Sequence, residues 1–526
     1  MATINRINEA LTSDRMGDVE KYFSSVTNLI DANSGVNDFR MISSDCYNSS
    51  CPVTAQQFTF FHLTDPSCDI IDISKGFITL DLTMDVQFMY KDASTTAVHT
   101  NGEDSCKFFI GFKSASHIID VYNIYSNGRL TNCKQTKAKH EQTIVYNEKA
   151  KEEKAGRPGM YSPHKKVLEM NNCVCGTYID LPKLADKDTK KNISMQIVMQ
   201  IDDLLPLSSL KYYPRFLTGE LELQLSCNLI QNMVWCKIPF ENIPMKNIAK
   251  TESSLEDCRF QQCGDYAEVN LAYSENTTTY KPTFTTIIPS NLQITSAKSF
   301  VYGFNIKTEA KKNLVEIFNS GNFVVPAQWV EHYTFSQLPN PTNIRCNSQI
   351  TMSNACQLVI TFPNTSNQLT VSRNPHLEAV QVQVGDRIVP DKFFNTLDRA
   401  HCEMILSGLC MDSLFSAADE LIEALTMNRL KAGTFTVRRN DDSDYILCIN
   451  LERFGSGCFC DGMSGLNIPI NLNANFMEGT SNPHYYVPQD ISASSITFER
   501  QPINLFIVSD AFWIFGPDGG EFIKDN

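Results

Sequence analysis

His401-Cys402-Glu403 is the first segment whose residue types and spacing could support catalysis. A histidine and a glutamate two positions apart occur in zinc-dependent deaminases, where the histidine binds the metal and the glutamate transfers a proton. Those enzymes complete the metal site with a downstream P-C-x-x-C segment, which this sequence lacks. Because the remaining ligands are missing, the segment predicts no metal centre.

Closely spaced cysteines are the second candidate for metal chemistry. They form two C-x-C pairs and one C-x₄-C pair: Cys173 with Cys175, Cys458 with Cys460, and Cys258 with Cys263. Zinc sites usually separate paired cysteines by two to four residues. Residues i and i+2 of a strand share one face and can pack there as small apolar side chains. We favour core packing for these cysteines and keep zinc as the alternative.

Acidic residues could supply either acid–base catalysis or a calcium site. Asp81 and Asp85 fall on the polar side of an alternating segment, where a solvated carboxylate is expected. Asp441, Asp442 and Asp444 could hold a calcium ion, but a loop of the EF-hand type needs a glycine at its sixth position and a distal glutamate. We expect these three residues to form a solvated hairpin tip.

The segment from Lys134 to Lys166 is basic, with nine lysines or arginines against four glutamates. A basic segment could contact nucleic acid, but Tyr146 and Tyr161 are the only aromatic residues interleaved with these charges. Gly156-Arg157-Pro158-Gly159 is typical of turns. We therefore expect a long exposed loop, with nucleic-acid binding as the alternative.

The sequence contains no catalytic motif of the types G-x-S-x-G, G-x-x-x-x-G-K-[ST], G-x-G-x-x-G or H-E-x-x-H. Gly455-Ser456-Gly457 and Gly462-Met463-Ser464-Gly465 are rich in glycine but lack phosphate-loop spacing, so we expect hairpins or corners there. We predict that the protein is not an enzyme, and that it has no catalytic, cofactor-binding or metal-binding residues and no cofactor.

Composition indicates a folded protein with more than one domain. The 526 residues exceed what one hydrophobic core usually organises, and 42% hydrophobic with 20% charged residues is ordinary for globular proteins. The net charge of −14 argues against a surface that coats nucleic acid. Met1–Arg15 lacks the pattern of a signal peptide, and no apolar stretch has the length of a membrane span. We expect a soluble protein that is made in the cytosol and keeps its cysteines reduced.

Strict alternation of apolar and polar residues is the strongest structural pattern in the chain. It runs from Ile78 to Phe88 and returns at 193–201, 221–229 and 380–384. A period of two is typical of antiparallel sheets with one buried face. About fifteen strand candidates approach the roughly sixteen strands of two eight-stranded jelly rolls. We therefore predict an all-β fold of two tandem jelly-roll β-sandwiches, with long inter-strand loops and a few short helices.

The same pattern suggests how the chain is divided. We predict an N-terminal arm at residues 1–50, a first jelly roll at 51–245 and a second at 246–526. Apolar residues from Ser413 to Leu430 follow helical spacing, which predicts a helical insertion near 401–432. Trp235 and Trp513 lie in apolar runs and are predicted core residues, whereas Trp329 is the one tryptophan that could be exposed.

Five segments together carry a resemblance to a known family. They are Ile119–Leu130 (IDVYNIYSNGRL), Tyr161–Pro182 with its Cys175-Gly176-Thr177-Tyr178, Arg373–Pro390 (RNPHLEAVQVQVGDRIVP), Asp461–Leu472 (DGMSGLNIPINL) and Ser509–Phe515 (SDAFWIF). By their order and their strand-rich setting, these segments resemble double jelly-roll major capsid proteins of eukaryotic DNA viruses, in the lineage of polinton-like viruses and virophages.

The resemblance implies a structural protein that forms a homotrimeric, pseudo-hexameric capsomer of an icosahedral capsid around double-stranded DNA. It also implies contacts with neighbouring capsomers and with penton and minor capsid proteins, and indirect contact with packaged DNA as a further candidate. The expected location is the virion, after synthesis in the host cell cytoplasm. The resemblance implies no catalytic residues.

Two alternative functions remain open on the sequence alone. The first is a carbohydrate-binding or carbohydrate-active β-sandwich protein, which would need exposed aromatic residues and, for hydrolysis, two carboxylates about 5 to 9.5 Å apart. Trp329 is the aromatic candidate for that function. The second is a minor capsid protein at the vertices, which would be rare in the particle and pentameric.

Overall fold

The structure is a computed structural model. It describes residues 36–46, 53–54, 58–90, 107–136, 138–161, 172–180, 190–227, 232–238, 261–263, 273–275, 278–280, 284–319, 323–335, 343–365, 368–372, 377–395, 399–411, 413–425, 444–452, 462–476, 503–516 and 519–524.

Strands make up most of the described chain. In chain order they are β1 Val36–Asp45, β2 Val53–Thr54, β3 Phe58–His62, β4 Ile70–Tyr90, β5 Lys107–Gly111, β6 Ile119–Ser126, β7 Arg129–Gln135, β8 Asn172–Cys173, β9 Gly176–Asp180, β10 Lys191–Gln200, β11 Tyr212–Tyr213, β12 Leu221–Cys227, β13 Val234–Ile238 and β14 Gln261–Gln262. They continue as β15 Tyr273–Glu275, β16 Thr278–Tyr280, β17 Phe284–Ile306, β18 Phe323–Thr334, β19 Asn343–Thr361, β20 Pro363–Thr365, β21 Gln368–Ser372, β22 Leu377–Val384, β23 Arg387–Asn395, β24 Ile446–Asn450, β25 Met463–Phe476, β26 Asn504–Gly516 and β27 Gly519–Lys524.

The helices are short. They are α1 Ala138–Glu148, α2 Lys151–Gly156, α3 Leu205–Ser208, α4 Arg215–Thr218, α5 Thr308–Asn319, α6 Arg399–Gly408 and α7 Asp419–Leu425, with 3-10 turns at Ala115–Ile118 and Ile201–Asp203. Among the described helices, none is long and apolar enough to cross a membrane.

Three antiparallel sheets contribute residues to one hydrophobic core, called the first core. The first sheet has the order β1-β17-β4-β10, with β2 paired to β17 and β11 paired to β4. The other two have the orders β3-β12-β6-β7 and β14-β13-β5-β9-β8. The alternating residues of β4 and β10 face inward, so that Leu80 and Ile197 pair across the two strands and are both fully buried among Phe109, Tyr122 and Trp235.

The second core packs against one large antiparallel sheet with the order β18-β26-β19-β25-β22-β23. The inward face includes Leu358, Val382 and Leu472. Strand β24 pairs with the last residues of β19, and the helices α6 and α7 supply Ile405 and Leu421 to the same core. In the described part of the chain, the second core is therefore covered partly by helices.

Strands β18 and β26 contribute to both cores. They pair along all 12 residues of β18. Trp329 and Trp513 belong to the first core, whereas Val330 and Phe506 belong to the second. After β26 the chain turns into β27, whose Phe522 returns to the first core. The two cores are thus joined by continuous paired strands rather than by a single linker.

The all-β prediction is confirmed by these sheets. The alternating segments are strands with their apolar residues buried, including Ile78, Leu82, Met195 and Val380. Trp235 and Trp513 are buried, as predicted.

The proposed domain limits at 50/51 and 245/246 stay a prediction. Within the range assigned to the arm, β1 pairs with β17 as an edge strand. Strand β17, which falls in the range assigned to the second jelly roll, pairs along much of its length with β4 and lies in the sheet of the first core. Helix α6 begins two residues before the predicted helical insertion near 401–432 and α7 lies within it, whereas residues 412 and 426–432 are outside the described residues.

Candidate functional site

The H-x-E segment on α6 is divided between two environments. His401 is fully buried, and its Nε2 lies 3.5 Å from the hydroxyl of Tyr445. Burial lowers the pKa of His401 to about 4, which keeps the imidazole neutral. Glu403 instead accepts a 3.0 Å hydrogen bond from the guanidinium of Arg399 on the exposed side of the helix. The two side chains do not converge on one ligand.

Of the paired cysteines, Cys175 and Cys263 are buried in the first core. The side chain of Cys173, and all of Cys258, Cys458 and Cys460, lie outside the described residues. Within the described ranges, no group of three or more histidine, cysteine or acidic side chains is arranged so that it could hold a metal ion. The preference for core packing over zinc is therefore consistent with the two cysteines that can be placed.

Asp81 and Asp85 lie on the outer face of the sheet that covers the first core. Asp81 accepts a 2.9 Å hydrogen bond from the amide of Gln196 on the neighbouring strand β10. Asp85 accepts hydrogen bonds from the amides of Asn291 at 2.8 Å and Asn192 at 3.1 Å, which lower the pKa of its carboxyl. These carboxylates are parts of cross-strand polar ladders.

Asp444 corrects the expectation of a solvated hairpin tip. It is buried, and its Oδ1 accepts a hydrogen bond from the ammonium group of Lys113, which is also buried. Asp441 and Asp442 lie outside the described residues. The sequence could not show this environment, because the partner that satisfies Asp444 comes from the first half of the chain.

The basic segment from Lys134 to Lys166 is a second correction, because much of it forms helices α1 and α2 rather than an exposed loop. Lys154 is buried, and its ammonium nitrogen lies 3.6 Å from the centre of the Tyr146 ring. The guanidinium of Arg157 pairs with the carboxylates of Asp202 and Asp203 beside the 3-10 turn that follows β10. The charges of Lys154 and Arg157 are used in internal contacts, which leaves fewer positive charges for a nucleic acid.

Trp329 is the third correction. Only 6% of its surface is exposed, and its ring packs against Phe522 with 5.7 Å between the ring centres. The ammonium nitrogen of Lys524 lies 3.2 Å from the centre of the same indole ring. Trp329 is therefore a core residue of the first core, and it cannot serve as the exposed platform that a carbohydrate site needs.

A cluster of buried polar groups lies where α1 passes between the two cores, and it is the candidate functional site. Its central group is the fully buried Glu141. The carboxylate accepts hydrogen bonds from the hydroxyl of Tyr122 at 2.6 Å, the backbone N–H of Leu205 at 3.0 Å and the amide of Gln135 at 3.3 Å. The same amide of Gln135 donates to the carbonyl of Val330 on β18.

Further buried polar groups surround this helix. His117 faces α1 from the 3-10 turn, and burial lowers its pKa to about 3. Burial also raises the pKa of Asp203 to about 6, against the opposing effect of the Arg157 charge. The indole N–H of Trp513 donates to the carbonyl of Pro206 in α3. This arrangement fixes the position of one core relative to the other, which is a structural role.

The sequence pattern indicated neither Glu141 nor Lys113, and it predicted a solvated hairpin tip at Asp444. Each is a charged residue in a segment that reads as surface by composition, and no local pattern marks a charge that will be buried. One signal was present: Lys113 directly follows the apolar run Phe108–Phe112, where burial is common.

No protein-family model matches the chain, and no curated protein matches it in sequence. Solved structures do match it. A chain of the Sputnik virophage structure determined by cryo-EM is 10% identical, with 93% of this chain and 89% of that chain covered and a TM-score of 0.49. The mavirus major capsid protein is 10% identical, with coverages of 92% and 90% and a TM-score of 0.43. The Faustovirus major capsid protein is 8% identical, with coverages of 91% and 90% and a TM-score of 0.43.

Proposed function

We propose that this chain is a double jelly-roll major capsid protein that forms homotrimeric, pseudo-hexameric capsomers of an icosahedral shell around double-stranded DNA. The observation that carries the proposal is the pair of β-rich cores joined by β18 and β26 along their full paired length. The sequence segments that resemble capsid proteins support the same function, since several of them lie in strands of this frame.

A shell subunit must keep its shape while neighbours press on it from several sides. Two cores that share continuous hydrogen-bonded strands cannot swing about a flexible linker, because bending would break the ladder between β18 and β26. Close packing on both sides of these strands adds further resistance. A frame of this kind is suited to repeated tiling, and the six β-sandwiches of a trimer, two from each chain, would give a hexagonal outline.

The proposal includes the partners that such a subunit needs. In a ring of three copies, each contact joins one patch of a chain to a different patch of its neighbour, so every chain uses two different patches. A permanent trimer is expected to bury about 2,000 Å² or more at each interface. Neighbouring capsomers, penton proteins and minor capsid proteins are the further proposed partners, and indirect contact with packaged DNA is the remaining one. The proposed location is the virion, following synthesis in the host cell cytoplasm.

The first experiment is to measure the mass of the purified native protein by light scattering and to image the same sample by negative stain. We expect the mass of three chains and particles with a hexagonal outline. A stable monomer would overturn the proposed capsomer. A pentamer would overturn it in favour of a vertex protein.

The burial of Trp329 weakens the carbohydrate alternative, because it removes the aromatic residue on which that alternative depended. Binding of the wild-type protein to a glycan array, with retention of binding in a folded Trp329→Phe variant, would show that a carbohydrate site exists elsewhere on the chain.

A further inference from the structure

Helix α1 connects the two hydrophobic cores. Ala138 at its beginning belongs to the first core, whereas Ile144 and Val145, two turns later, belong to the second. Glu141 lies near the first end of the helix and Glu148 is its last residue. The helix therefore carries one carboxyl group toward each core.

Glu141 is held by groups from three other elements. Tyr122 of β6 and Gln135 of β7 donate to one carboxylate oxygen, and the backbone of Leu205 at α3 donates to the other. Because the side chain has no exposed surface, water does not stabilise a charge on Glu141; these donors, the amide of Gln142 at 3.5 Å and the charge of Lys524 do so instead.

The ionisable groups that face Glu141 are few. They are the phenol of Tyr122, the thiol of Cys133 on β7 and the more distant ammonium group of Lys524 on β27. Lys524 favours the charged carboxylate, but it is shared with the carboxylate of Glu331 and with the Trp329 ring. Loss of hydration outweighs the hydrogen bonds and this charge, and it raises the pKa of Glu141 to about 7.

Glu148 meets the second core. Its carboxylate accepts a hydrogen bond from the side chain of Gln357 on β19, and the charge of Lys149 lies beside it. The thiols of Cys356, Cys410 and Cys448 also face this carboxylate, and its negative charge helps to raise the pKa of each thiol. Unlike Glu141, Glu148 keeps part of its surface exposed, but loss of hydration is again the largest effect and raises the pKa of its carboxyl to about 7.

We propose that α1 is a proton-sensitive latch, which holds the two cores together most firmly when Glu141 and Glu148 are protonated and loosens when both carboxylates are ionised. The inference concerns the two cores of a single chain and does not rest on the proposed function.

The direction of the pH dependence follows from which state of the helix binds more protons. An unfolded or detached glutamate has a pKa of about 4.3, whereas these two have pKa values of about 7 when the helix is packed. Between these limits the packed state binds more protons than the detached state. The contribution of these two groups to the stability of the packed helix is therefore largest at about pH 4 and below. It decreases as pH rises and stays constant above about pH 7.

The test is hydrogen–deuterium exchange of the full-length protein, followed in peptides that cover residues 138–150 and corrected for the intrinsic pH dependence of exchange. We expect the protection of these amides to fall by at least about tenfold between pH 5.5 and pH 7.5, since each acid can contribute up to about tenfold per pH unit within its window. Equal protection at both pH values would overturn the proposal.

Variants distinguish the titration of Glu141 and Glu148 from other effects of pH on the exchange of these amides. The double variant E141Q/E148Q removes both titrations, and we expect its protection to change by less than about threefold over the same range. The control E152Q removes an exposed carboxylate from the neighbouring helix α2 and should keep the wild-type change. A full pH-dependent fall in the double variant would also overturn the proposal. If E141Q does not fold, E148Q alone decides: it should lose about half of the logarithmic change.

Discussion

Lys113 and Asp444 form a buried ion pair between residues that are 331 positions apart in the chain. Their side chains are only 0% and 4% exposed. Lys113 follows β5 beside the first core, whereas Asp444 precedes β24 of the second core. This contact joins the two halves of the molecule independently of the shared strands.

Removing either partner of this pair should destabilise the protein strongly. Lys113→Met or Asp444→Leu leaves the other charge buried without its counterion, which typically costs about 3 to 5 kcal/mol. Thermal unfolding followed by circular dichroism should show a clearly lower midpoint for each single variant. The double variant Lys113→Met/Asp444→Leu should lose less than the sum of the two, because no unpaired charge remains.

An exposed ion pair provides the matched control. Arg399 and Glu403 are 81% and 44% exposed on α6, so Arg399→Met should change stability by about 1 kcal/mol or less. Single variants at Lys113 and Asp444 that unfold at the temperature of the wild type would contradict the importance of the buried pair.

The two cores should unfold together. All three tryptophans, Trp235, Trp329 and Trp513, lie in the first core, so tryptophan fluorescence reports on that core alone. Circular dichroism reports on the strands of both cores. Because β18 and β26 run through both, separation of one core would break strands of the other. We expect the fluorescence and dichroism transitions to coincide in urea, which is the usual test of cooperative unfolding.

Two separate transitions, with the fluorescence change confined to one of them, would show that the cores are independent. Phe522→Ala in β27 is a useful second sample, because it perturbs only the first core directly. It should lower both midpoints by the same amount if the cores are coupled.

Strands were predictable here because the pattern that specifies them is local. The alternation from Ile78 to Val86 shows which side chains will be buried without reference to any partner. The pairing of β17 with β4 was not predictable in the same way, because the two strands begin more than two hundred residues apart and neither carries a mark of the other. Pairing depends on the whole fold.

The polar site was missed for a related reason. Helix α1 carries mostly polar residues, and its buried residues belong to two different cores. The single apolar stripe that usually marks a buried helix in a sequence is therefore absent. Glu141 and Lys154 read as surface residues by type. Their burial is possible only because Tyr122, Leu205 and Tyr146 are brought to them by tertiary structure.

Trp329 should matter for stability. Its ring lies between Phe522 and the ammonium group of Lys524 and is almost fully buried, so Trp329→Ala should cost about 3 to 5 kcal/mol through the cavity it leaves. The matched control is Phe415→Ala, since Phe415 is 90% exposed and its removal should change stability by about 0.5 kcal/mol or less. Equal melting temperatures for the two variants would mean that Trp329 is not a core residue.

Gly159 occupies a position that no other residue can fill without strain. Its φ angle is +82°, and a Cβ atom there would lie 2.1 Å from the carbonyl oxygen of Val198 on β10. Gly159→Ala should therefore destabilise the protein by more than about 1 kcal/mol. Gly156, three residues earlier at the end of α2, has open space around its Cβ position, so Gly156→Ala should be neutral or stabilising by up to about 1 kcal/mol. Thermal unfolding of the two alanine variants checks the pair, and a Gly159→Ala protein as stable as Gly156→Ala would contradict the close approach of this turn to β10.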